Sequence, residues 1–399
     1  MHSGRSVRAG LRVLSRHAAI SPAARRWYAL FTMTTTETFT IATCGPAERE
    51  EQARLFNACF KKTLAAPALV WRYDQNPHGQ AVSLVARPDQ VEGAEGVSGY
   101  ACSPRQALVR GDEATMAPIG QTGDVMTHPE WRKRGIFSDL DRRAMEETKA
   151  LGWPLVFGLP NRRSAHIFLQ LGWSAVGKIR PWTFVQRATK AAKAVRRVDG
   201  RWKSWTLGSA QKRGRAARRR LRAASEGLFG VRRIERFNAQ VDALSRLVEP
   251  NFDLMVRRDH AYLNWRFIEN TAGLHTPLGV YDGKNELAAY VIVQRPREGE
   301  VVGYLVDVLA RDEAALAQAI EAGLAQLQAW EADLVQATAI DGSWWQAQLE
   351  RAGFEPPREE NHLIVIVHEH DAAHPLAASA KDASTWYLTD GDRDDETMG

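Results

Sequence analysis

Cysteine is scarce in this chain and its copies are scattered. Cys44, Cys59 and Cys102 are the three in 399 residues, with no CxxC pair and no histidine cluster nearby. A disulfide scaffold and a zinc site are therefore not expected, and the usage suits a reducing cytoplasm, where small partly buried thiols serve as core residues. Long apolar runs are lacking as well, and none approaches the roughly 20 residues of a membrane-spanning helix. Acidic residues are missing from the N-terminus, Glu37 being the first. Residues 1–33 read as a disordered leader or an overlong translation start, with a basic transit-type peptide left open; Ser, Arg and Pro break every apolar patch, so no secretory segment is present. The remaining composition is ordinary: 44% hydrophobic and 25% charged side chains with a net charge of +6. That balance fits a globular protein with material for two cores.

The most informative stretch is residues 125–140. An extended segment, Val125-Met126-Thr127, runs through His128 to Pro129, then a basic turn from Arg132 to Phe137, then an amphipathic helix. Ile136, Phe137, Leu140 and Ala144 share one apolar face, while Asp139, Arg142, Arg143, Glu146 and Glu147 lie off it. The turn can aim amides at one point, the helix adds its positive end, and Gly135 permits close backbone approach. Arg132, Lys133 and Arg134 add charge suited to a pyrophosphate. A charged loop before a surface helix is the plainer alternative.

The residues that follow favour the ligand reading. Pro154 to Gly158 is a short buried-type strand; Asn161 is placed to cap a second helix whose stripe is Ile167, Phe168 and Leu171; Gly172 ends it, and the chain extends toward Trp182–Val185. With Val125–Thr127, the Arg132-x-x-Gly135-x-Phe137 turn and the block from Asn161 through Ser164 and Phe168 to Trp173, the chain resembles the acyl-CoA N-acyltransferase superfamily, the Gcn5-related acetyltransferases (GNAT), over roughly residues 95–187. Phe137 stands where many members have Gly or Ala; a side chain turned away leaves its amide usable.

An internal duplication is also legible. Val70-Trp71-Arg72-Tyr73-Asp74-Gln75-Asn76 is echoed by Asn264-Trp265-Arg266-Phe267-Ile268-Glu269-Asn270, with 194 residues between the tryptophans. Gly172 has a counterpart in Gly353, 181 residues on. Strands are expected at 278–281, 288–293, 304–309, 334–338 and 363–367, with helices at 312–331 and around 344–349, the element order of the first half. The segment from Arg258 to Arg266 and the tail Trp386–Asp394 strengthen the resemblance to tandem bacterial members of the family. The fold class expected is therefore α/β (α+β): a mixed, mostly antiparallel sheet flanked by helices, in two tandem copies. The expected layout is the leader at 1–33, a catalytic domain at 34–187, a basic and partly helical linker at 188–235, a degenerate second copy at 236–370 and a tail at 371–399. The second copy has no glycine turn: Asp312 and Glu313 occupy its helix start, where acids favour the helix by ~0.3–1 kcal/mol and repel phosphate.

The linker carries Lys212-Arg213-x-Arg215 and Arg218-Arg219-Arg220-x-Arg222. A nucleic-acid or anionic-membrane arm is one reading. A solvated helical linker with Trp202, Trp205 and Leu207 docked on a neighbour is favoured, because the aromatics do not alternate with the basic cluster.

The resemblance implies acetyl-CoA as co-substrate, no metal, and a small-molecule or peptide amine as acceptor, in the cytoplasm. It implies that Val125, Met126 and Thr127 pair with the pantetheine arm, that Arg132, Lys133, Arg134, Gly135, Ile136 and Phe137 hold the pyrophosphate, and that Asn161 contacts the coenzyme. An amide near Val125 or Met126 would polarise the acyl carbonyl, and the amine would attack directly, without a covalent enzyme intermediate. Asp124, or His128, is the candidate proton acceptor. Relatives place a Tyr where Phe168 stands, so Ser164 or water is left to protonate the thiolate. Residues 236–270 with Trp344 and Trp345 are expected to line an acceptor pocket between the lobes. Two alternatives stay open: an aminoacyl or peptidyl transferase using charged tRNA, and a non-catalytic basic protein that binds nucleic acid.

Overall fold

A computed structural model describes residues 38–61, 63–89, 93–109, 115–198, 205–356 and 362–393. The leader, Trp202 and Asp394 lie outside the described residues. In chain order the strands are β1 (Phe39–Thr43), β2 (Val82–Pro88), β3 (Ser98–Val109), β4 (Thr115–Thr127), β5 (Leu155–Gly158), β6 (Ser174–Val185), β7 (Gly230–Arg233), β8 (Leu254–Met255), β9 (His275–Tyr281), β10 (Leu287–Gln294), β11 (Val302–Ala310), β12 (Leu334–Ile340), β13 (Leu363–Glu369) and β14 (Trp386–Tyr387). The main helices are α1 (Arg49–Cys59), α2 (Ile136–Ala150), α3 (Arg162–Gln170), α4 (Lys190–Val198), α5 (Trp205–Ser225), α6 (Ala239–Val248), α7 (Glu313–Ala329) and α8 (Trp344–Arg351).

Twelve strands form one sheet in the order β1-β2-β3-β4-β5-β13-β6-β12-β11-β10-β9-β7. It is mostly antiparallel, and its two parallel pairs, β4 with β5 and β11 with β12, sit at matching places in the two halves. Each parallel pair is joined over three residues only: Gly120–Thr122 face Val156–Gly158, and Val302–Tyr304 face Leu334–Gln336. Beyond those residues the paired strands part. The centre of the sheet is exchanged between halves, because β13 lies between β5 and β6, and β6 pairs with β12 along Ile179–Val185. Each half thus completes its sheet with a strand of the other.

The duplicated tryptophans meet face to face. Trp71 and Trp265 stack with ring centroids 4.7 Å apart, and each indole N–H donates to the other's carbonyl at 2.9 Å. Both stand in wide helical turns closed by i→i+5 bonds, from the Gln75 amide to Val70 O and from the Glu269 amide to Asn264 O. Burying both rings with their N–H groups satisfied makes this a strong link between the halves.

The helices cover the sheet as their patterns require. In α2, Ile136, Leu140, Ala144 and Met145 are buried against β2 and β3. In α7, ten residues are buried, because α5 packs over its outer side. That contact uses the basic segment: Arg218 and Arg222 donate to the Glu321 carboxylate at 2.7 Å, and Arg213 pairs with Glu355. These arginines are engaged within the protein, and α5 lies on the fold as a helical linker rather than as a free arm.

Candidate active site

The site is built where β4 parts from β5. Opposite Tyr100 of β3, β4 carries two residues instead of one: Gly123 faces Ala101 and Met126 faces Gly99, which leaves Asp124 and Val125 in a bulge. Asp124 adopts a left-handed backbone, φ +48°, rarely taken by a residue with a side chain. The extra residue interrupts the ladder between β3 and β4 at this point.

Asp124 is held in place by its neighbours. Its Oδ2 accepts from the guanidinium of Arg72 and, at 2.5 Å, from the hydroxyl of Tyr73, and the pair with Arg72 is about 95% buried on both sides. Burial, then the nearby Asp124 charge, pushes the Tyr73 phenol well above its ordinary range, so it stays a donor. No donor among the described residues reaches the second oxygen, Oδ1. Asp124 is thus an anchored residue of the bulge, not a solvent-facing strand position. Tyr73 was not singled out in the sequence, although a signal existed. The two copies read Trp71-Arg72-Tyr73 and Trp265-Arg266-Phe267, and the hydroxyl present in only one of them is the group that Asp124 uses.

The basic turn follows. Gly135 has φ +81° and precedes α2; a side chain added there meets no atom within 4 Å. Glycine is needed here for its backbone, not to avoid a neighbour, and the space in front of it is open. The amides of Gly135, Ile136 and Phe137 have no acceptor among the described residues. Those of Ile136 and Phe137 belong to a helix first turn, which cannot satisfy them internally. Arg132, Lys133 and Arg134 are exposed around the turn; Arg132 donates to Thr127 O at 3.2 Å, and Arg134 lies 4.5 Å over the Trp131 ring. Ile136 is buried in the core, and Phe137 packs edge-on to Phe168 at 5.2 Å, so its bulk points away from the turn. Met126 is buried, while Val125 lines the gap. His128 is a turn residue, its Nδ1 accepting from the Glu130 amide at 3.4 Å.

On the other side of the gap, Asn161 caps α3, accepting from the amides of Arg163 and Ser164 at 2.9 and 3.1 Å, which leaves its NH₂ for a ligand. Ser164 donates its hydroxyl to Asn161 O at 3.2 Å and must rotate to serve any other acceptor. Phe168 is buried against Trp173 and Phe137 and offers no proton.

A cavity of about 400 Å³ fills the gap. Phe56 of α1, Phe60 just after it, Asp124, Val125, Asn161 and Ser164 form its near wall. The far wall comes from the exchanged strands and the tail: Ile179 and Pro181 of β6, Thr338 of β12, Leu363 of β13, and Arg393. The expectation for the pocket between the lobes is corrected here. None of residues 236–270 lines this cavity, because strand exchange brings β6, β12 and β13 to the gap instead; Trp345 is buried in the second core, and Trp344 lines a different cavity together with Val248, Asn251, Phe252 and Asp253.

The corresponding gap of the second half is filled by the chain itself. The turn Thr389–Arg393 lies between β11 and β12: Thr389 Oγ1 donates to Asp307 at 2.6 Å, the Thr338 amide donates to Asp390 at 2.5 Å, and Arg266 donates to Gly391 O at 3.0 Å. A Cβ on Gly391 would stand 3.0 Å from Asp307. An extended ligand arm has no room there.

No helix among the described residues is long and apolar enough to cross a membrane. Residues 40–176 match the family model of the acetyltransferase (GNAT) domain. No curated protein matches the chain significantly in sequence. Similar solved structures include a GCN5-related N-acetyltransferase from Anabaena variabilis (TM-score 0.58, 13% identity, 84% of this chain and 74% of that one). A tandem GNAT protein from the clavulanic acid biosynthesis pathway covers the chain similarly (TM-score 0.52, 12% identity, 84% and 99%). The Saccharomyces cerevisiae N-myristoyltransferase with bound myristoyl-CoA is a third (TM-score 0.55, 13% identity, 83% and 79%). At these identities the likeness is one of fold.

Proposed function

We propose that this chain, a tandem-fold acyltransferase of the GNAT superfamily, moves an acetyl group from acetyl-CoA to a primary amine in its first lobe. The observation that carries this reading is the conjunction at the end of β4: a bulged strand parting from its parallel neighbour, next to an open glycine turn with unpartnered amides. That is the donor set a diphosphate ester requires.

Arg132, Lys133 and Arg134 with the amides of Gly135, Ile136 and Phe137 hold the diphosphate. The backbone of Val125–Thr127 pairs with the pantetheine arm, and the Asn161 NH₂ contacts it from the other side. An amide of the bulge, at Val125 or Met126, donates to the thioester oxygen as negative charge develops there. The amine acceptor enters from the side of β6, β12 and β13 and donates to Asp124 Oδ1, the oxygen left open by Arg72 and Tyr73. Asp124 orients the amine and takes up its proton directly or through water. The amine attacks the carbonyl carbon, the C–S bond breaks, and Ser164 or water supplies the proton to sulfur. No cysteine is needed as a nucleophile, and burial raises all three thiols, those of Cys44 and Cys59 to about 11.

The test is a thiol-release assay with acetyl-CoA against a panel of amines, comparing the wild type with Gly135→Asp. The account expects release that depends on both amine and enzyme, and a fall of at least about a hundredfold in the variant, from backbone strain plus charge repulsion. Equal turnover by both proteins refutes the placement.

A further inference from the structure

In the second half the corner that corresponds to the pyrophosphate turn, where β11 hands over to α7, opens into a cavity of about 480 Å³, and its chemistry is inverted. Three carboxylates line it, Asp253, Asp312 and Glu313, with the guanidinium of Arg311, and Glu313 also pairs with Arg351 at 3.1 Å. Arg311 is already engaged by Asp282 at 2.7 Å and Asp312 at 3.0 Å. The apolar wall is aromatic: Phe252 and the half-buried Trp344 line it with centroids 5.6 Å apart at 75°, and Tyr387 backs Phe252 at 4.8 Å. Gln348, 91% buried, also faces the cavity. Its Oε1 accepts from Arg351 at 3.4 Å, and its amide nitrogen has no acceptor among the described residues.

We propose that this cavity binds an organic ammonium ion bearing an oxygen substituent. A net negative lining attracts a cation, and aromatic faces stabilise a desolvated ammonium in a way they cannot stabilise a hydrated metal ion. The open Gln348 amide supplies the donor that an oxygen near the charged end requires. Anions are disfavoured, because Asp312 takes the Ala315 amide at 2.8 Å and Glu313 sits in the first turn of α7, which offsets the positive helix end. The duplicated corner has exchanged an anion-binding role for a cation-binding one.

Choline and its neutral isostere 3,3-dimethylbutan-1-ol, titrated separately into the full chain by calorimetry, test the assignment. Choline is expected to bind at millimolar concentration and the alcohol not to bind. Trp344→Leu is expected to weaken choline by about tenfold. Glu313→Gln, which removes an exposed carboxylate and its surface pair with Arg351, is expected to weaken it a few-fold, and both variants keep acetyl-CoA turnover. Absence of choline binding, equal binding of the alcohol, or choline binding untouched by either substitution overturns the proposal.

Discussion

The corner proposed as catalytic turns on a residue with little conformational freedom. Asp124 pays a backbone strain that Arg72 and Tyr73 offset through a buried pair and a 2.5 Å hydrogen bond. Tyr73→Phe removes a donor to a charged group, an interaction worth about 1.5–3 kcal/mol, so kcat/KM is expected to fall roughly 10- to 100-fold, with the loss in kcat rather than in KM for acetyl-CoA. Steady-state kinetics with both substrates varied checks this; an unchanged kcat shows that the hydroxyl does not serve the reaction. At this scale the sequence exposes the residues whose role is local. The turn around Gly135 and the cap at Asn161 are readable from spacing alone. The partnership of Asp124 with Tyr73 joins residues 51 apart in the chain and leaves no local pattern, except that the second copy has Phe267 where the first has Tyr73.

Among elements, the two wide turns that carry Trp71 and Trp265 fix the halves against each other. Truncating either ring opens a cavity and strands an indole partner, so Trp71→Ala and Trp265→Ala are each expected to cost about 3–5 kcal/mol. Because the rings act as a pair, the double variant is expected to lose less than the sum by about 0.5–3 kcal/mol. Urea unfolding midpoints measure both quantities, and additive losses contradict the pairing. Periodicity located these elements well: β10, β11, α7, β12, α8 and β13 fall within a few residues of the runs their apolar patterns mark. Lateral order was not legible, since β13 and β6 carry the same alternation whichever half they join. That exchange determines which residues wall the cavity, and it puts Ile179, Pro181 and Thr338 there in place of Trp344 and Trp345.

For the whole molecule, buried histidines make acid a condition of failure. His78 stacks on Tyr262 across the halves at 4.7 Å, and burial, then Arg105, holds it down to about 3; burial, then Arg266, does the same to His275. In the unfolded chain both titrate near 6.5, so below that pH the unfolded state binds more protons. Stability is therefore complete above about pH 6.5 and falls as pH drops toward 3, with a limiting slope of about 1.4 kcal/mol per unit for each histidine. Urea titrations between pH 7 and 4 are expected to show this loss, with a shallower slope in His78→Gln. An identical slope in that variant contradicts the assignment.

The central claim, that the coenzyme's diphosphate rests on the turn between β4 and α2, is tested most directly by amide hydrogen exchange with and without coenzyme A. The account predicts slowed exchange at residues 125–137 and none at the β11–α7 corner, residues 305–316. Protection confined to the second corner, or absent from 125–137 at saturating coenzyme, contradicts it.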